Sequence, residues 1–301
     1  MFFHLVLPRL DGQDNADGLR EAQEDVLAKI ADAWTGPVAR PVRLLPQRIT
    51  AAELVTDPES TAVPIGVAED DLSTVSIELT GTSPHFLVFG DAGSGKSTML
   101  RTWLTGLCER TSPYDVRVVL VDYRHSLLDV VGEEHLGAYA GDPTTAAAYI
   151  QQVCAKLEER RPPAGITKEQ LRARDWWEGT ELYVVVDDYD LVSGGMTGVL
   201  NPLADFIPLS REVGLHVVLA RKVSGMARVM GDPLAARLKD MGADGLILSG
   251  DRREGAVLGD ERAQQRPPGR GVLLKGGRHR RLIQVAVPEA ATDLEPADAA
   301  F

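Results

Sequence analysis

The chain has 301 residues, of which 44% are hydrophobic and 25% charged, and its formal net charge is −12 with a pI near 5.0. This composition supports a full hydrophobic core and excludes an intrinsically disordered chain. The acidic balance disfavours nucleic acid as the main partner, because proteins that hold a duplex usually present a basic face. We expect a soluble, cytosolic chain, since no apolar run reaches the ~20 residues of a membrane helix and the start lacks the basic leader of a signal peptide.

Two cysteines, Cys108 and Cys154, both lie within apolar helical patterns. Neither has neighbours at metal-ligand spacing, and one pair of cysteines does not establish a disulfide. We interpret them as two buried thiols in a reducing compartment.

The first predicted element is an acidic amphipathic helix over residues 18–34. Apolar side chains that repeat along it at helical spacing are Ala22, Val26, Ile30 and Ala33. Gly36-Pro37 ends the helix, and the prolines spaced over residues 37–46 favour an extended connector.

Composition divides the chain into three predicted parts. Residues 1–50 form the helix and the extended lead-in. Residues 51–288 form the main domain, and residues 289–301, rich in Ala, Asp and Glu, form a disordered acidic tail.

Within the main domain, predicted strands alternate with predicted helices. The strands are a half-buried run at 75–79, apolar runs at 85–89, 116–121, 182–186 and 215–220, and a short run at 245–248. A closing hairpin is predicted for 271–275 and 281–287. The alternation predicts an α/β fold with a mostly parallel sheet that helices cover on both faces, plus the C-terminal β-hairpin.

Two of the predicted helices have clear starting signals. Asp142-Pro143 combines an N-cap with a first-turn proline. Thr167 and Gln170 have capping-box spacing for a short helix that reaches Trp176-Trp177. A further helix is predicted for residues 200–213.

A phosphate-binding loop is the strongest motif in the sequence. It fits G-x-x-x-x-G-K-[ST] in full and consists of Gly90, Asp91, Ala92, Gly93, Ser94, Gly95, Lys96 and Ser97. An apolar strand precedes the loop and a helical pattern follows it, which is the order that phosphate binding requires. We therefore predict that the chain binds a nucleoside triphosphate, namely ATP with Mg²⁺.

Each part of this loop has a predicted task. Glycines let backbone N–H groups point at the phosphates, and the N-terminus of the following helix adds partial positive charge. Lys96 is expected to reach the β- and γ-phosphates as a mobile charge, and Ser97 to bind Mg²⁺ through its hydroxyl. Thr98 either contacts the α-phosphate or is an ordinary residue of the first helical turn.

Two carboxylates follow the predicted strand 182–186, and ligands gather at such carboxyl ends of strands. Asp187 lies where P-loop enzymes place the aspartate that holds Mg²⁺. Asp188 lies where many P-loop enzymes carry a glutamate that polarises the attacking water, but aspartate is one methylene shorter. Asp188 is therefore either catalytic or a loop-capping group, and Asp190 is expected to be a helix cap. Nucleotide binding is predicted, whereas hydrolysis is left open.

Three arginines are candidates for contact with nucleotide. Arg221 follows the strand 215–220 and is either a catalytic sensor of the γ-phosphate, which arginine can pair with bidentately, or a surface group. Arg211 either favours the dipole of the helix that it ends or reaches a neighbouring subunit. Arg270 either faces a nucleotide across an interface or flanks a turn.

Four other residues have weaker predictions. His216 lies along an apolar strand and is interpreted as structural. Asp122 ends the strand 116–121 and either touches the site or is a polar strand end. Trp176 and Trp177 either face a partner or cover the sheet.

Taken together, these motifs resemble the ATPase modules of the EccC ATPases of type VII (ESX) secretion, in the FtsK/SpoIIIE family of P-loop ATPases. The resemblance covers residues 18–287, nearly the whole chain. The segments that carry it are 34–37, 41–46, 90–98, 121–124, 175–179, 184–192, 210–216, 220–221, 248–252 and 267–271.

This resemblance implies a RecA-like fold and a membrane-anchored protein with several such modules in tandem, assembling as hexamers on the cytoplasmic side of the membrane. It implies export substrates that are small helical-hairpin dimers with a C-terminal Tyr-x-x-x-Asp/Glu signal, which the last module receives in an apolar pocket. The chain resembles that C-terminal module, expressed alone or as a subunit of a split protein.

Two departures from the family pattern bear on activity. Many family loops carry glutamate where Gly93 stands, and Asp188 replaces the hydrolytic glutamate, as in modules that turn ATP over poorly. Two alternatives therefore remain beside a secretion motor: a DNA translocase of the FtsK type, and a structural module that binds ATP without hydrolysing it.

Overall fold

The computed structural model describes residues 9–37, 44–173, 175–193, 198–225, 232–276 and 279–289. The chain divides into two compact units, Met1–Val42 and Arg43–Phe301. In its described part the first unit contains helix α1 (Leu19–Ala33), as predicted. None of the residues of α1 is buried, and Ile30 of the predicted stripe is 57% exposed. Most of the predicted connector, and the predicted acidic tail beyond Glu289, lie outside the described residues.

A ten-stranded sheet forms the centre of the second unit in the part of it that is described. Its order is β2-β1-β12-β11-β8-β3-β7-β6-β4-β5. The strands are β1 (Val63–Ala68), β2 (Thr74–Ile77), β3 (His85–Phe89), β4 (Val116–Val121), β5 (Leu136–Ala140), β6 (Glu181–Val186), β7 (Leu215–Arg221), β8 (Asp244–Ile247), β11 (Arg270–Lys275) and β12 (His279–Val285), with a separate ribbon of β9 (Ala256–Leu258) and β10 (Glu261–Arg262).

Six neighbouring strands, from β8 to β5, run parallel to one another. The other four pair antiparallel and include the closing hairpin of β11 and β12. The predicted α/β fold, the mostly parallel sheet and the C-terminal hairpin are thus confirmed. Because β7 lies between β3 and β6, the carboxyl ends of these three strands meet at one edge of the sheet.

The core lies on both faces of the sheet, as the continuous apolar strands require. Successive side chains of β3 point to opposite faces. Leu87 packs in a cluster with Ile150 of helix α3 (Pro143–Glu159). Phe86 and Val88 pack in a second cluster with Leu100 of helix α2 (Lys96–Arg110).

Both predicted capping signals are present. The Asp142 side chain accepts hydrogen bonds from the N–H groups of Thr144 and Thr145 at the start of α3. Thr167 and Gln170 exchange the two hydrogen bonds of a capping box before helix α4 (Lys168–Ala173). Helix α4 ends at Ala173, so the prediction that it reaches the two tryptophans is wrong.

The predicted helix over 200–213 is also wrong. The segment forms two 3₁₀ turns, Asn201–Asp205 and Ile207–Leu209, before the short helix α6 (Ser210–Val213). Each turn begins with a proline at its first or second position. Pro202 and Pro208 donate no backbone hydrogen bond, and a proline ring clashes with the preceding helical turn, so a continuous α-helix cannot form. Two further helices in the described part of the chain are α5 (Tyr189–Val192) and α7 (Pro233–Asp240).

The two cysteines are free and only partly buried, in contrast to the prediction that both are buried. Burial of the thiol groups raises the pKa of Cys108 and of Cys154 to about 11. Thiols with a raised pKa are poor nucleophiles.

Candidate nucleotide-binding site

The loop between β3 and α2 lies at the carboxyl edge of the parallel strands. The N–H of Gly90 donates to the carbonyl of Arg221 at the end of β7 (3.1 Å). The N–H of Asp91 donates to the carbonyl of Ser249, just after β8 (2.8 Å). Both strands that flank β3 therefore fix the start of the loop.

Two glycines are required by the shape of this loop. Gly95 is the N-cap residue of α2 and has φ 102°, a left-handed conformation that L side chains rarely adopt. At Gly90 a Cβ atom would lie 2.2 Å from the Ser94 hydroxyl oxygen. A side chain at either position would push the loop out of its present path.

The loop presents a ring of unused donors to an anion. Among the described residues, the N–H groups of Gly95, Lys96, Ser97 and Thr98 donate to no acceptor. The Ser94 hydroxyl is buried there without a hydrogen-bond partner. Since these groups surround the positive end of the α2 dipole, they form a cradle that suits phosphate oxygens.

Lys96 supplies the positive charge of this cradle. The residue is 7% exposed, and its Nζ lies 3.3 Å from the carbonyl oxygen of Asp91, at the start of the same loop. The Nζ is also 4.0 Å from Asp188 Oδ1. The ammonium group is therefore held between the loop and the end of β6.

The predicted magnesium ligands lie in contact. Ser97 Oγ donates to Asp187 Oδ2 at 2.6 Å, and the Asp187 residue is 2% exposed. Ser126 Oγ donates to the same carboxylate oxygen at 2.6 Å, and it lies 3.1 Å from Oδ1 of the fully buried Asp122. One hydroxyl and one carboxylate that face the phosphate cradle fit Mg²⁺, which prefers oxygen and takes its other ligands from phosphate and water.

Asp122 and Ser126 therefore belong to the surroundings of the site. Asp122 Oδ2 accepts a hydrogen bond from the N–H of Leu127 (2.6 Å) and lies 3.2 Å from the Tyr139 hydroxyl. These contacts fix the loop that follows β4. Ser126 belongs to this loop and is thereby held in contact with Asp187. Of the two alternatives for Asp122, contact with the site is the one observed. The contact of Ser126 with Asp187 could not be predicted, because nothing in the chain order shows that β4 lies beside β6.

Asp188 is bound by an arginine that the sequence analysis did not select. Arg124 Nε lies 2.9 Å from Asp188 Oδ2. Asp188 has φ 45° at the N-cap position of α5, and its side chain makes no capping hydrogen bond. The interpretation of Asp188 as a loop-capping group therefore has no support, because the side chain does not make the capping hydrogen bond that it requires. Arg124 lies in the segment 121–124, one of those that carry the family resemblance, and that resemblance is the sequence signal for it.

The predicted sensor, Arg221, is paired with a third carboxylate. Its guanidinium donates to Asp190 Oδ1 (3.0 Å), and Asp190 Oδ2 accepts from the backbone N–H of Lys222 (2.7 Å). Burial lowers the pKa of Arg221, and the neighbouring carboxylate opposes that shift. The prediction that Asp190 caps a helix is wrong, because its side chain binds Arg221 and the Lys222 N–H at the end of β7, and Asp188 occupies the N-cap position of α5.

The other candidates make structural contacts. Arg211 donates to the Gly81 carbonyl (2.8 Å), and Arg270 donates to the Pro46 carbonyl (2.7 Å). His216 lies between the Pro84 carbonyl (3.2 Å) and Glu181 (3.1 Å), stacked on Tyr183, as the structural interpretation expects. The indole N–H groups of both tryptophans donate to backbone carbonyls at 2.8 Å, those of Arg160 for Trp176 and Glu212 for Trp177.

A cavity of about 500 Å³ opens beside the first turn of α2. Gly95 and Thr98 line it on the side of the phosphate loop. Its remaining walls are the lead-in, the 267–269 turn and β12, contributed by Gln47, Arg48, Pro267, Pro268, Gly269, Gln284, Val285 and Val287. The cavity is continuous with the helix N-terminus and has both polar and apolar walls.

A buried strand, a glycine loop with orphan amides, a lysine and an aspartate at the end of a nearby parallel strand define a P-loop nucleotide-binding protein. Residues 45–230 match the FtsK/SpoIIIE family. The chain therefore belongs to the FtsK/SpoIIIE family. In the described part of the chain no helix combines the length and apolar character that a membrane crossing requires.

Among curated proteins, the chain is similar to secretion ATPases. It is 42% identical to the ESX secretion system protein EccC of Thermomonospora curvata, over 96% of the chain and 22% of that protein. It is 36% identical to EccC4 of the ESX-4 system of Mycobacterium tuberculosis, over 95% of the chain and 22% of that protein. It is 35% identical to EccCb1 of the ESX-1 system of Mycolicibacterium smegmatis, over 94% of the chain and 50% of that protein. The chain thus spans between about a fifth and a half of these relatives.

Solved structures show the same relationship. The cytoplasmic domain of the T. curvata type VII secretion ATPase EccC matches with a TM-score of 0.85 and 42% identity, over 94% of the chain and 33% of that structure. The T. curvata structure of EccC ATPases 2 and 3 in complex with a signal sequence peptide matches with the same TM-score and identity, over 94% and 51%. The predicted family resemblance is confirmed.

Proposed function

We propose that the chain binds Mg-ATP in the cradle formed by the loop from Gly90 to Ser97. The observation that carries this proposal is the contact of Ser97 with Asp187 (2.6 Å) beside Lys96 and the unused amides of α2. Lys96 takes the β- and γ-phosphates, and Ser97 and Asp187 hold the metal. When bound, Mg²⁺ neutralises charge on the phosphate oxygens.

The 500 Å³ cavity beside Thr98 is the place for the sugar and base. It begins where the phosphate cradle ends, and Pro267 and Pro268 provide apolar surface for a flat ring. Gln47 provides an amide group that can bind the polar edge of a base. Titration calorimetry with Mg-ATP tests this assignment. We expect the wild-type chain to bind and a variant in which Lys96 is replaced to lose binding.

We propose that hydrolysis by this chain is slow. Asp188 is the carboxylate placed to orient an attacking water, but its side chain is shorter than glutamate and is bound by Arg124 (2.9 Å). Arg221 is bound to Asp190 and does not point freely into the cradle. An ATP-binding module without turnover is the second candidate. It predicts retained nucleotide and no phosphate release, even when the protein is assembled with its neighbouring modules.

At the level of the cell, we propose that the chain is one ATPase module of a type VII secretion system on the cytoplasmic side of the membrane. Similarity to EccC at 42% identity over nearly the whole chain supports this assignment, and one matching structure contains a signal sequence peptide. The module would recognise helical-hairpin export substrates by their C-terminal signal. It would work beside other modules, as a hexamer in the full assembly and anchored to the membrane through other parts of the protein.

Titration with the C-terminal peptide of such a substrate, with and without Mg-ATP, tests the secretion proposal. Saturable binding to the wild-type chain supports it, and binding to a scrambled peptide of the same composition counts against it. A DNA translocase would instead bind duplex DNA with affinity that falls steeply as salt rises. The net charge of −12 argues against that alternative.

A further inference from the structure

Two cations face one carboxylate at the end of β6. Lys96 Nζ is 4.0 Å from one oxygen of Asp188, and Arg124 Nε is 2.9 Å from the other. The side chains of Lys96 and Asp188 are 7% and 15% exposed, whereas that of Arg124 is 55% exposed. Arg124 therefore reaches in from the surface to a carboxylate that is largely shielded from water.

Among the described residues, these two cations are the partners of the Asp188 carboxylate. It lies in a left-handed conformation (φ 45°) and makes no capping hydrogen bond with its side chain. Its backbone N–H donates to Asp187 Oδ1 (2.9 Å), which ties it to the proposed metal ligand. Non-glycine residues with positive φ persist where the surrounding structure holds them, often at functional sites.

Arg124 lies on an anchored loop, and its side chain is 55% exposed. The next residue, His125, contacts the Tyr139 hydroxyl through Nδ1 (2.9 Å), and Ser126 is fixed by Asp122 and Asp187. Within the described residues, Asp188 is the one acidic partner of Arg124. The guanidinium can therefore change partners while the backbone beneath it stays in place.

A γ-phosphate brings negative charge to the point where Asp188 already faces Lys96. Lys96 and Mg²⁺ offset part of the phosphate charge, and the repulsion between the γ-phosphate and Asp188 falls further when a guanidinium group lies beside both anions. Arg124 and Arg221 are each paired with a carboxylate, but the Arg221 side chain is 8% exposed and enclosed, whereas that of Arg124 is 55% exposed and has room to turn towards a bound phosphate. ADP has no γ-phosphate and creates no such repulsion.

We infer that Arg124 makes the proposed site prefer ATP over ADP. In the absence of nucleotide Arg124 neutralises Asp188, and when ATP is bound it pairs with the γ-phosphate as well. This inference rests on the proposed binding of Mg-ATP. It assigns the recognition of the terminal phosphate to the loop after β4, and it leaves Arg221 the structural task of binding Asp190.

The test compares Arg124→Gln with wild type by calorimetry, using Mg-AMPPNP and Mg-ADP as separate ligands. We expect affinity for AMPPNP to fall about tenfold, as for loss of one charge-assisted hydrogen bond, and affinity for ADP to change by less than about twofold. Arg117→Gln is the matched control, because Arg117 lies at the other end of the same strand, β4, and should affect neither ligand. Arg124→Lys should restore part of the discrimination, since lysine keeps the charge but not the planar fork.

A second variant keeps the test decisive if Arg124→Gln does not fold. Asp188→Asn removes the competing anion, so we expect tighter binding of AMPPNP and unchanged binding of ADP. Equal losses for both nucleotides in Arg124→Gln, or no loss for either, would overturn the inference. If the wild-type chain binds neither nucleotide, the Mg-ATP proposal itself fails. That result differs from the two outcomes that would overturn only the inference on Arg124.

Discussion

Ser97 and Asp187 are separated by 90 positions in the chain, yet their side chains meet at 2.6 Å. The contact exists because β3 and β6 are held one strand apart by β7, with all three carboxyl ends at the same edge. Each residue alone has an ordinary explanation. Ser97 could be a plain serine of the first helical turn, and Asp187 could be a plain polar residue at the end of a strand. Their contact beside a lysine and unused helix amides is explained by a site for Mg²⁺ and phosphate.

Replacement of Lys96 by alanine should abolish measurable binding of Mg-ATP. The loop would lose its one ammonium group, while its amides would remain to bind phosphate weakly. Lys156→Ala is a suitable control, because that lysine lies on the exposed side of α3 and pairs with Glu159. Calorimetry of the two variants and the wild type gives the comparison. Wild-type affinity in Lys96→Ala would contradict the assignment of the loop.

Ser97→Ala should weaken ATP binding roughly tenfold in Mg²⁺ and much less when EDTA is present, because one metal ligand is lost. Thr98→Ala is the informative neighbour. If Thr98 contacts the α-phosphate, its replacement should weaken binding equally with and without Mg²⁺. If it is an ordinary first-turn residue, binding should be unchanged. A loss in Ser97→Ala that is independent of Mg²⁺ would remove the serine from the proposed metal site.

Much of this arrangement could be predicted from the sequence, because it depends on local patterns. The strands β3 and β4 were predicted with their observed bounds, since each is a short apolar run with clear ends. The phosphate loop follows from its spacing, and the N-cap at Asp142 from its proline neighbour. These features need only residues that are close together in the chain.

The contacts that could not be predicted from the sequence depend on which strands are neighbours in the sheet. Ser126 and Arg124 reach the acid pair because β4 lies beside β6, and no local pattern shows that strand order. Asp190, which was expected to be a helix cap, has Arg221 as a partner because β7 lies close to it. The error over 200–213 is different, since Pro202 and Pro208 are local signals that argue against a continuous helix.

Asp188→Glu should raise the steady-state rate of phosphate release several-fold if side-chain reach limits hydrolysis. The longer side chain would extend the carboxylate by one methylene towards an attacking water. Asp188→Asn is the matched comparison, because it removes the charge and should abolish any basal rate. Both variants must be measured under the same assembly conditions as the wild type. An unchanged rate in Asp188→Glu would mean that the length of this side chain does not limit turnover.

His85 should make the stability of the folded chain depend on pH. The residue is 2% exposed, and burial, together with the nearby His216, lowers its pKa from 6.5 to about 3. Its Nδ1 accepts a hydrogen bond from the Val217 N–H (3.1 Å), a role that only the unprotonated nitrogen can fill. Folded protein therefore keeps His85 neutral where unfolded protein takes up a proton.

The sign follows from proton counting. Between pH 6.5 and about 3 the unfolded chain binds one more proton at this residue than the folded chain, so the free energy of unfolding falls as the pH falls. The slope from this one group is at most about 1.4 kcal/mol per pH unit. His85→Asn keeps an acceptor for the Val217 N–H but does not titrate, so it should flatten the curve measured by urea denaturation between pH 6 and pH 4. Parallel curves for the variant and the wild type would show that His85 does not control this part of the acid response.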